Sequence, residues 1–391
     1  MCRIITCQKL CTPVPDNREH GINNDSLMTD AKARYRAITI NGRFLSQPIT
    51  GVQRYAYEVL NAIDSLLSTG QIESIPVTVL APKNANIVPS WKSLCLRRLG
   101  NFTGQLWEQI DLAIHARGTL LFTPCGGAPL LHDRHVITIH DAGPFSTPHA
   151  YSATYRAYYK VLQRLLAKRA AHILTVSEFS KGELVRVLRV PETKISSIWL
   201  SGEHILRVNR DDSVIERNHL SPGKYVLGVG SRNPNKNLTG LVQAFAYLEN
   251  EGVTLAIAGG SNAAVFGKTK GSGGAVRELG FVSDEELRSL YENAACFVFP
   301  SIYEGFGFPP LEALSLGTPV VVARAASMPE IFGDSVLYCD PHSPQDIAEQ
   351  VRRAINNVCP SRDAAIEYAA QFTWEQCARR TWPILQNTLS L

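Results

Sequence analysis

The chain has 391 residues, of which 45% are hydrophobic and 19% are charged, so it is too apolar for a disordered chain and long enough for about two or three domains. Its net charge of +4 is too small to indicate nucleic-acid binding, and we expect none. No apolar run approaches the roughly 18 residues that cross a bilayer, and the first residues lack the apolar stretch of a signal peptide.

Residues 1–35 stand apart from the rest of the chain. They contain turn-forming and polar residues without helix or strand periodicity, which predicts a loosely ordered extension. Cys2, Cys7 and Cys11 fall in this segment, but their spacing fits no common metal site. The 9 cysteines of the chain are scattered and form no CxxC pair, so we expect no disulfide framework, no structural zinc and a reducing cytoplasm.

The pattern from Arg36 onward predicts a first α/β domain over 36–205. A strand at 37–45 precedes an amphipathic helix at 51–67, and helical patterns then separate short apolar runs. Apolar runs of this kind are typical of a parallel sheet covered on both faces. The further predicted strands are 77–81, 119–124, 135–141 and 172–177.

A second α/β domain is predicted over 222–371, after a polar linker at 206–221. The final segment, 372–391, is predicted to be a helix that packs back on the first domain. The fold class is therefore α/β, with two doubly wound Rossmann-like domains, and we expect ligands in the cleft where strand ends face each other. The predicted strands of the second domain are 224–231, 253–260, 295–301, 318–324 and 335–340.

The most informative segment is 297–323, in which a buried strand leads into a glycine-rich loop and a helix. The loop carries Glu304, Gly305 and Gly307, and the following helix carries Glu312. Glycines let the backbone approach a ligand closely, and the free N–H groups at a helix start favour anions. This pattern is consistent with a ligand that has both a phosphate and a polyol.

This segment resembles the E-x7-E motif of retaining glycosyltransferases with the GT-B fold, in the large family-4 group. The resemblance extends to GVGSRNPNKNL (228–238), LGFVSDEEL (279–287), TIHD (138–141), TVSEFSK (175–181), MPEI (328–331) and FTW (372–374). It spans roughly residues 37–385 and implies an enzyme that uses a nucleotide sugar.

The resemblance implies roles for both glutamates. Glu304 would contact the donor sugar and face the reacting centre, and Glu312 would hold the ribose hydroxyls, a task that suits the two acceptor oxygens of a carboxylate. The alternative is a surface loop acid at Glu304 and a helix N-terminal acid at Glu312. The other donor-binding residues implied are Gly51, Ser231, Phe281, Gly305, Phe306, Gly307 and Phe308.

Lys236 and Arg232 are the predicted substitutes for a metal ion. The leaving nucleoside diphosphate gains negative charge, which fixed cations stabilise, and the chain has no DxD motif to hold a metal. We therefore expect no metal and no other cofactor. The alternatives are two solvated cations, or a dinucleotide loop at Gly228 and Gly230 that lacks its third glycine because Asn233 stands there.

His140 ends a predicted strand of the first domain, where the cleft is expected. The resemblance places it against the donor sugar, as a further catalytic residue, whereas the alternative is a core histidine with satisfied hydrogen bonds.

The predicted helix 152–170 has four cations at steps of four residues and no acidic residue to pair with them. This pattern indicates either a surface for an anionic membrane or a phosphate-bearing acceptor, or a solvated face. The cations are Arg156, Lys160, Arg164 and Lys168.

The function predicted from these features is retaining hexosyl transfer from a nucleotide sugar to a saccharide or polyprenyl-diphosphate-linked saccharide, in polysaccharide or lipopolysaccharide synthesis. The resemblance favours GDP-mannose over a UDP-hexose. A cytoplasmic enzyme, peripheral on the inner face of the plasma membrane, is expected. The alternatives are a sugar-nucleotide epimerase or phosphorylase of the same architecture, a dehydrogenase, and a non-catalytic sugar-nucleotide-binding protein.

Overall fold

The computed structural model describes residues 37–231, 233–259 and 276–390. The predicted extension 1–35 and Arg232 lie outside the described residues. Within those ranges the strands form one sheet of seven strands and one of six, and every neighbouring pair is parallel. The predicted α/β class with two Rossmann-like halves is confirmed.

The first sheet has the strand order β3-β2-β1-β4-β5-β6-β7. The order reverses between β1 and β4, which is the position where open α/β sheets bind ligands. Its strands are β1 (Ile38–Asn41), β2 (Val77–Pro82), β3 (Cys95–Leu99), β4 (Leu120–Thr123), β5 (His135–Thr138), β6 (His172–Thr175) and β7 (Ile195–Ser197).

The second sheet repeats this topology in the order β10-β9-β8-β11-β12-β13. Its central strands β11 and β12 are buried at every residue, as the continuous apolar runs in the sequence predict. The strands are β8 (Tyr225–Val229), β9 (Thr254–Ala258), β10 (Val276–Gly280), β11 (Cys296–Phe299), β12 (Val320–Ala323) and β13 (Leu337–Cys339).

The helices of the first half cover its sheet. They are α1 (Gly51–Ser68), α2 (Gly104–Leu106), α3 (Ala113–His115), α4 (Gly143–Ser146), α5 (Ala153–Arg169) and α6 (Glu178–Leu188). A π-helical stretch, Trp107–Leu112, joins α2 and α3 into one continuous helix over 104–115. Side chains fix several helix starts, since Thr50 and Gln53 form a capping box at α1 and the Ser177 hydroxyl accepts the Ser180 N–H at α6, 3.0 Å away.

The helices of the second half follow the same scheme. They are α7 (Ser213–Arg217), α8 (Leu238–Phe245), α9 (Asp284–Asn293), α10 (Phe308–Ser315), α11 (Met328–Phe332), α12 (Pro344–Ile355), α13 (Arg362–Ala369) and α14 (Trp374–Ser390). The stretch expected to be a linker, 206–221, contains α7, which packs against α9 with Val214 fully buried. In the described part of the chain no helix is both long and apolar enough to span a membrane.

The last helix belongs to the core of the first half. α14 packs along α1, and the Trp374 ring lies 6.5 Å from the Tyr55 ring. Both side chains are almost fully buried in a hydrophobic cluster that continues through both halves. Burial of such large rings stabilises the packing by roughly 2–3 kcal/mol per side chain.

Polar contacts to backbone atoms join the two halves. The Ser177 hydroxyl donates to the carbonyl oxygen of Gly305 at 2.6 Å. The carboxylate of Glu330 accepts the N–H groups of Glu178 and Phe179, both at 2.8 Å, and so caps the N-terminus of α6 from the other half. These contacts bring the C-terminal strand ends of the two sheets to face each other.

Candidate active site

A cavity of about 420 Å³ lies between the two halves. Both halves supply its lining. The first contributes Gly51, Arg54, His140 and Asp141 among others, and the second contributes Lys236, Phe281, Glu304, Gly305, Phe306, Gly307, Phe308 and Glu312. The structure therefore brings together most of the residues that the sequence singled out.

Lys236 and Glu304 are in direct contact. The Lys236 ammonium lies 2.7 Å from a Glu304 carboxylate oxygen and 4.9 Å from the centre of the Phe299 ring. The Ser301 hydroxyl donates to the same carboxylate oxygen, and the Ser327 hydroxyl donates to the Glu304 carbonyl oxygen at 3.0 Å. A cation and an anion are thus both held at fixed positions on one wall of the cavity.

Two glycines after Glu304 are required by their surroundings. A Cβ on Gly305 would lie 2.7 Å from the carbonyl oxygen of His140. Gly307 has φ +110°, and its Cβ would lie 2.8 Å from the Met328 methyl carbon. Gly305 therefore lets the loop approach the first half, and Gly307 lets it pack against α11 of its own half.

Glu312 is buried in the middle of α10, after its first turn, and both its oxygens have partners. His204 Nε2 lies 2.9 Å from one oxygen, and the Tyr291 hydroxyl donates to the other at 3.0 Å. Burial alone would raise the pKa of Glu312, but these two hydrogen bonds and the nearby His204 and Arg54 side chains hold it below its ordinary value. Because a carboxylate oxygen accepts more than one hydrogen bond, the ionised Glu312 can still accept from a diol in the cavity.

His140 is neutral and oriented by its neighbours. Its Nε2 lies 3.1 Å from the carbonyl oxygen of Pro124, and its ring meets the Tyr55 ring edge-on at 4.9 Å. A carbonyl can only accept, so Nε2 carries the proton and Nδ1 is left as an acceptor. Burial lowers the pKa of His140 to about 4, although the hydrogen bond to Pro124 opposes this shift.

Asp141 lies beside His140, where the cavity meets a second, smaller one. Burial raises its pKa and the Glu304 carboxylate adds to the shift, although the Gly143 N–H, 2.7 Å away, opposes it. The second cavity measures about 320 Å³ and shares His140 and Asp141 with the first. Three stacked tyrosines from the start of α5 and the preceding turn line it, namely Tyr151, Tyr155 and Tyr159.

Two predicted donor-binding residues have less central positions. Ser231 is exposed after β8 and is not part of the cavity lining. Phe281 is 87% exposed and reaches the cavity only at its edge. Arg232 lies outside the described residues, so only Lys236 of the predicted cation pair is placed.

The cations on α5 make contacts within their own half. Arg156 donates to the Pro148 carbonyl oxygen at 2.9 Å. Lys160 and Arg164 lie 5.5 and 5.2 Å from the centre of the Phe145 ring. Lys168 is exposed. Arg156 and Lys160 are partly buried by these contacts, whereas Arg164 and Lys168 are exposed, and the role of the four cations stays a prediction.

Four residues of the site escaped the sequence analysis, two that line the cavity and two that lie behind Glu312. Arg54 and Asp284 form an ion pair between the halves, and both line the cavity. His204 and Tyr291 hold Glu312 from behind. Arg54 lies one turn after Gly51 on the predicted helix, a signal that could have identified it, whereas the other three are recognisable only from the fold. Across 37–231, 233–259 and 276–390, no three His, Cys, Asp or Glu side chains are arranged to hold a metal ion.

Two family models match the chain. One describes glycosyl transferases group 1 and matches residues 210–372. The other describes glycosyltransferase family 4 and matches residues 49–199. The two matches fall on the two halves of the fold.

Two curated relatives are O-antigen mannosyltransferases. The O-antigen chain mannosyltransferase B of Escherichia coli is 34% identical over 265 residues, which is 64% of this chain and 69% of that protein. The O-antigen chain mannosyltransferase RfbU of Salmonella typhimurium is 27% identical over 340 residues, which is 83% of this chain and 92% of that protein.

Solved structures with similar folds are GT-B glycosyltransferases, which confirms the fold assignment. Sucrose-phosphate synthase from Thermosynechococcus elongatus superposes with a TM-score of 0.70 at 18% identity and covers 90% of this chain and 99% of its own. WaaG, a glycosyltransferase involved in lipopolysaccharide biosynthesis, superposes with a TM-score of 0.64 at 15% identity. The superposition covers 89% of this chain and 99% of WaaG.

The desolvated, neutral His140 predicts a specific pH dependence of stability. An unfolded histidine has a pKa near 6.5, so between about pH 6.5 and pH 4 the unfolded chain binds more protons than the folded one. The contribution of His140 to the free energy of unfolding is therefore complete above about pH 6.5, and it declines as the pH falls toward 4. When the pH is lowered from 7 to 4.5, the free energy of unfolding should fall by about 2 kcal/mol less in His140→Gln than in the parent. Urea unfolding at both pH values measures this, and parallel losses in both proteins would contradict it.

Proposed function

The chain belongs to the group 1, family 4 glycosyltransferases, and we propose that this enzyme transfers a mannosyl residue from GDP-mannose to the saccharide of a lipid-linked O-antigen-type chain. The proposal depends chiefly on the contact between Lys236 and Glu304 in the cavity that His140 and Glu312 also line. The two similar O-antigen mannosyltransferases support mannose as the sugar.

Glu312 would hold the ribose of the donor. It is ionised and fixed by His204 and Tyr291, so its remaining lone pairs have defined directions. Two ribose hydroxyls could donate to its two oxygens. This contact would be the same in the ground state and in the transition state, and it would therefore serve binding rather than turnover.

Lys236 would stabilise the leaving diphosphate without a metal ion. Negative charge grows on the diphosphate as the bond to the sugar breaks, and a cation already in place lowers the barrier. Arg232 is proposed as a second cation near the same phosphates. Glu304 would remain beside the sugar, where positive charge develops at C1.

A retaining transfer then follows from attack on the face that the diphosphate leaves. The bond between C1 and the phosphate oxygen breaks as the acceptor oxygen forms its bond to C1, and the hydroxyl proton passes to a diphosphate oxygen. His140 carries no charge, and its Nδ1 could accept a hydrogen bond from a hydroxyl of the donor sugar. No carboxylate nucleophile is needed in this scheme.

The acceptor would enter through the second cavity. Aromatic faces suit the apolar C–H face of a pyranose ring, and the stacked Tyr155 and Tyr159 offer such faces close to Asp141 and His140. A lipid-linked acceptor would be reached from the membrane surface, and contact with an anionic membrane remains a prediction.

A donor screen tests the proposed function. GDP-mannose at about 100 times its Kd should stabilise the native state by roughly 2.7 kcal/mol and raise the melting temperature by about 5 °C or more, while UDP-hexoses and nicotinamide nucleotides should have little effect. NMR of the product should show the same anomeric configuration as the donor. Stabilisation by UDP-hexoses alone would overturn the donor assignment, an epimerised sugar nucleotide would indicate the epimerase, and an inverted product would exclude retention.

Lys236→Ala should reduce turnover about a hundredfold, equivalent to roughly 3 kcal/mol of transition-state stabilisation. The matched control is Lys224→Ala, which removes an exposed lysine just before β8 and should keep parental turnover. Transfer by the parent should be unchanged after EDTA treatment. Activity that disappears with EDTA and returns with Mg²⁺ or Mn²⁺ would refute the metal-free scheme.

The two glutamates should respond differently to the same conservative change. Glu304→Gln should lower turnover and leave GDP affinity nearly unchanged, because it removes charge only beside the developing cation. Glu312→Gln should weaken GDP binding roughly ten- to a hundredfold, since hydrogen bonds to charged groups contribute roughly 1.5–3 kcal/mol. Calorimetry with GDP measures the second effect, and parental affinity in Glu312→Gln would show that the ribose assignment is wrong.

A further inference from the structure

The turn that carries Lys236 is held in place on both sides of the lysine. It is a short 3-10 helix, Pro234–Lys236, which follows β8. The Asn237 amide donates to the carbonyl oxygens of Pro300 and Pro341, at 3.2 and 2.7 Å, and both prolines belong to the second half. Asn237 therefore holds one end of the turn to its own half.

Asn235, on the other side of Lys236, forms a hydrogen bond across the cleft. Its amide nitrogen donates to the hydroxyl oxygen of Thr147 at 2.9 Å, and Thr147 lies directly after α4 in the first half. The two residues are buried, at 4% and 7% exposure. The short 3-10 helices at 148–150 and 234–236 are also in contact. The hydrogen bond can form only while the two halves are together.

The Thr147 hydroxyl continues this contact into the first half. It donates to the carbonyl oxygen of Gly143 at 3.1 Å, so it acts as the acceptor toward Asn235. The Gly143 N–H in turn donates to a carboxylate oxygen of Asp141 at 2.7 Å. A chain of hydrogen bonds therefore leads from Asn235 to the acid that follows His140.

The main chain of Asn235 contacts the loop that leads to Glu304. Its carbonyl oxygen accepts the Ile302 N–H at 2.8 Å and lies 2.9 Å from the Ser301 hydroxyl oxygen. The single hydrogen of that hydroxyl is also within reach of the Glu304 carboxylate. Asn235 therefore contacts the second half of the site with its backbone and the first half with its side chain.

Stability alone does not explain an amide at this position. The Oδ1 atom of Asn235 is buried and has no hydrogen-bond partner among the described residues. A buried acceptor without a partner is unfavourable, and an apolar side chain of similar size would not leave one. What an apolar side chain could not supply is the hydrogen bond from the amide nitrogen to Thr147 in the other half.

We propose that Asn235 is a positioning residue that fixes Lys236 relative to His140 and Asp141 in the closed cleft. Lys236 lines the same cavity as His140 and Asp141, and its long side chain is flexible, so its ammonium depends on how its backbone is held. In the proposed transfer the diphosphate leaves and the acceptor attacks between these groups, which makes their relative positions matter for the reaction step. The kinetic part of this proposal rests on the proposed function, whereas the contact across the cleft does not.

Kinetics and calorimetry on the full chain test the positioning role. Asn235→Ala should reduce turnover roughly ten- to a hundredfold, because a displacement of about 1 Å near the reacting groups is enough for such a loss. GDP affinity should change little, since the proposed ribose contact, Glu312, lies on α10 of the second half. The control is Asn218→Ala, which removes an amide that donates to the Val214 carbonyl oxygen at 2.8 Å and should keep both parental values. Equal losses of turnover and GDP affinity in Asn235→Ala would show a general structural role and overturn the proposal.

Variants of Thr147 test the same hydrogen bond from the other half. Thr147→Ser keeps the hydroxyl and should keep most of the parental turnover, whereas Thr147→Val removes it and should resemble Asn235→Ala. The double variant with Asn235→Ala and Thr147→Val should lose about as much turnover as either single variant, since both changes remove one shared contact. Losses that multiply in the double variant would show that the two residues act independently, and would overturn the proposal.

Hydrogen exchange measured by mass spectrometry tests the contact without catalysis. In Asn235→Ala the amides of 141–147, in the other half, should exchange roughly two- to tenfold faster, because a neutral hydrogen bond that holds this segment is lost. A disturbance confined to the turn at 234–237 would leave 141–147 at the parental rate, and this result would overturn the proposal whatever the donor proves to be. Faster exchange over 141–147 in a protein that transfers no sugar would support the contact and refute only the proposed transfer.

Discussion

The hydrogen bonds around the carbonyl of Gly305 determine where the two halves of the enzyme meet. The hydroxyls of Ser177 and Ser180 donate to this carbonyl at 2.6 and 3.3 Å, and both serines lie at the start of α6 in the other half. Gly305 directly follows Glu304, so the loop that carries the proposed sugar contact is positioned by the opposite half. The position of Glu304 therefore depends on closure of the cleft as well as on its own sheet.

The closed cleft explains the electrostatic character of the cavity. Its charged groups are partnered: Lys236 with Glu304, Arg54 with Asp284, and Glu312 with His204 and Tyr291. Partnered charges in a partly buried site keep defined positions, which is the preorganisation that charge stabilisation in a transition state requires. A donor diphosphate would meet Lys236 already paired with Glu304. Its negative charge would then shift the contacts of this ion pair, without a large reorganisation of solvent.

The sequence was most informative where burial is complete. β11 and β12 are buried at every residue and were recognised as apolar runs, and the context of Glu304 and Glu312 identified the cavity. The edge strands β3, β7 and β10 were not recognised, because they are only partly buried. β3 and β10 also carry charged residues such as Arg97 and Glu278. The helix over 104–115 was missed for a related reason, since its acids face inward. The partners of Glu312 come from distant segments, and no local spacing indicates such contacts.

The capping of α6 by Glu330 has a consequence for exchanging halves between related enzymes. The Glu330 carboxylate accepts hydrogen bonds from two main-chain N–H groups, and the Ser177 hydroxyl donates to a main-chain carbonyl oxygen. The residues that supply these main-chain groups contribute no side chain to the hydrogen bonds. A second half from a relative with another donor could therefore be grafted onto this first half if it carries the equivalent glycine and glutamate. The graft must end before residue 372, because the carbonyl oxygen of Phe372 accepts a hydrogen bond from the Ser201 hydroxyl and α14 packs on α1. The last helix therefore stays with the first half, and the new second half would also have to keep the Arg54–Asp284 ion pair and the hydrophobic cluster that continues through both halves.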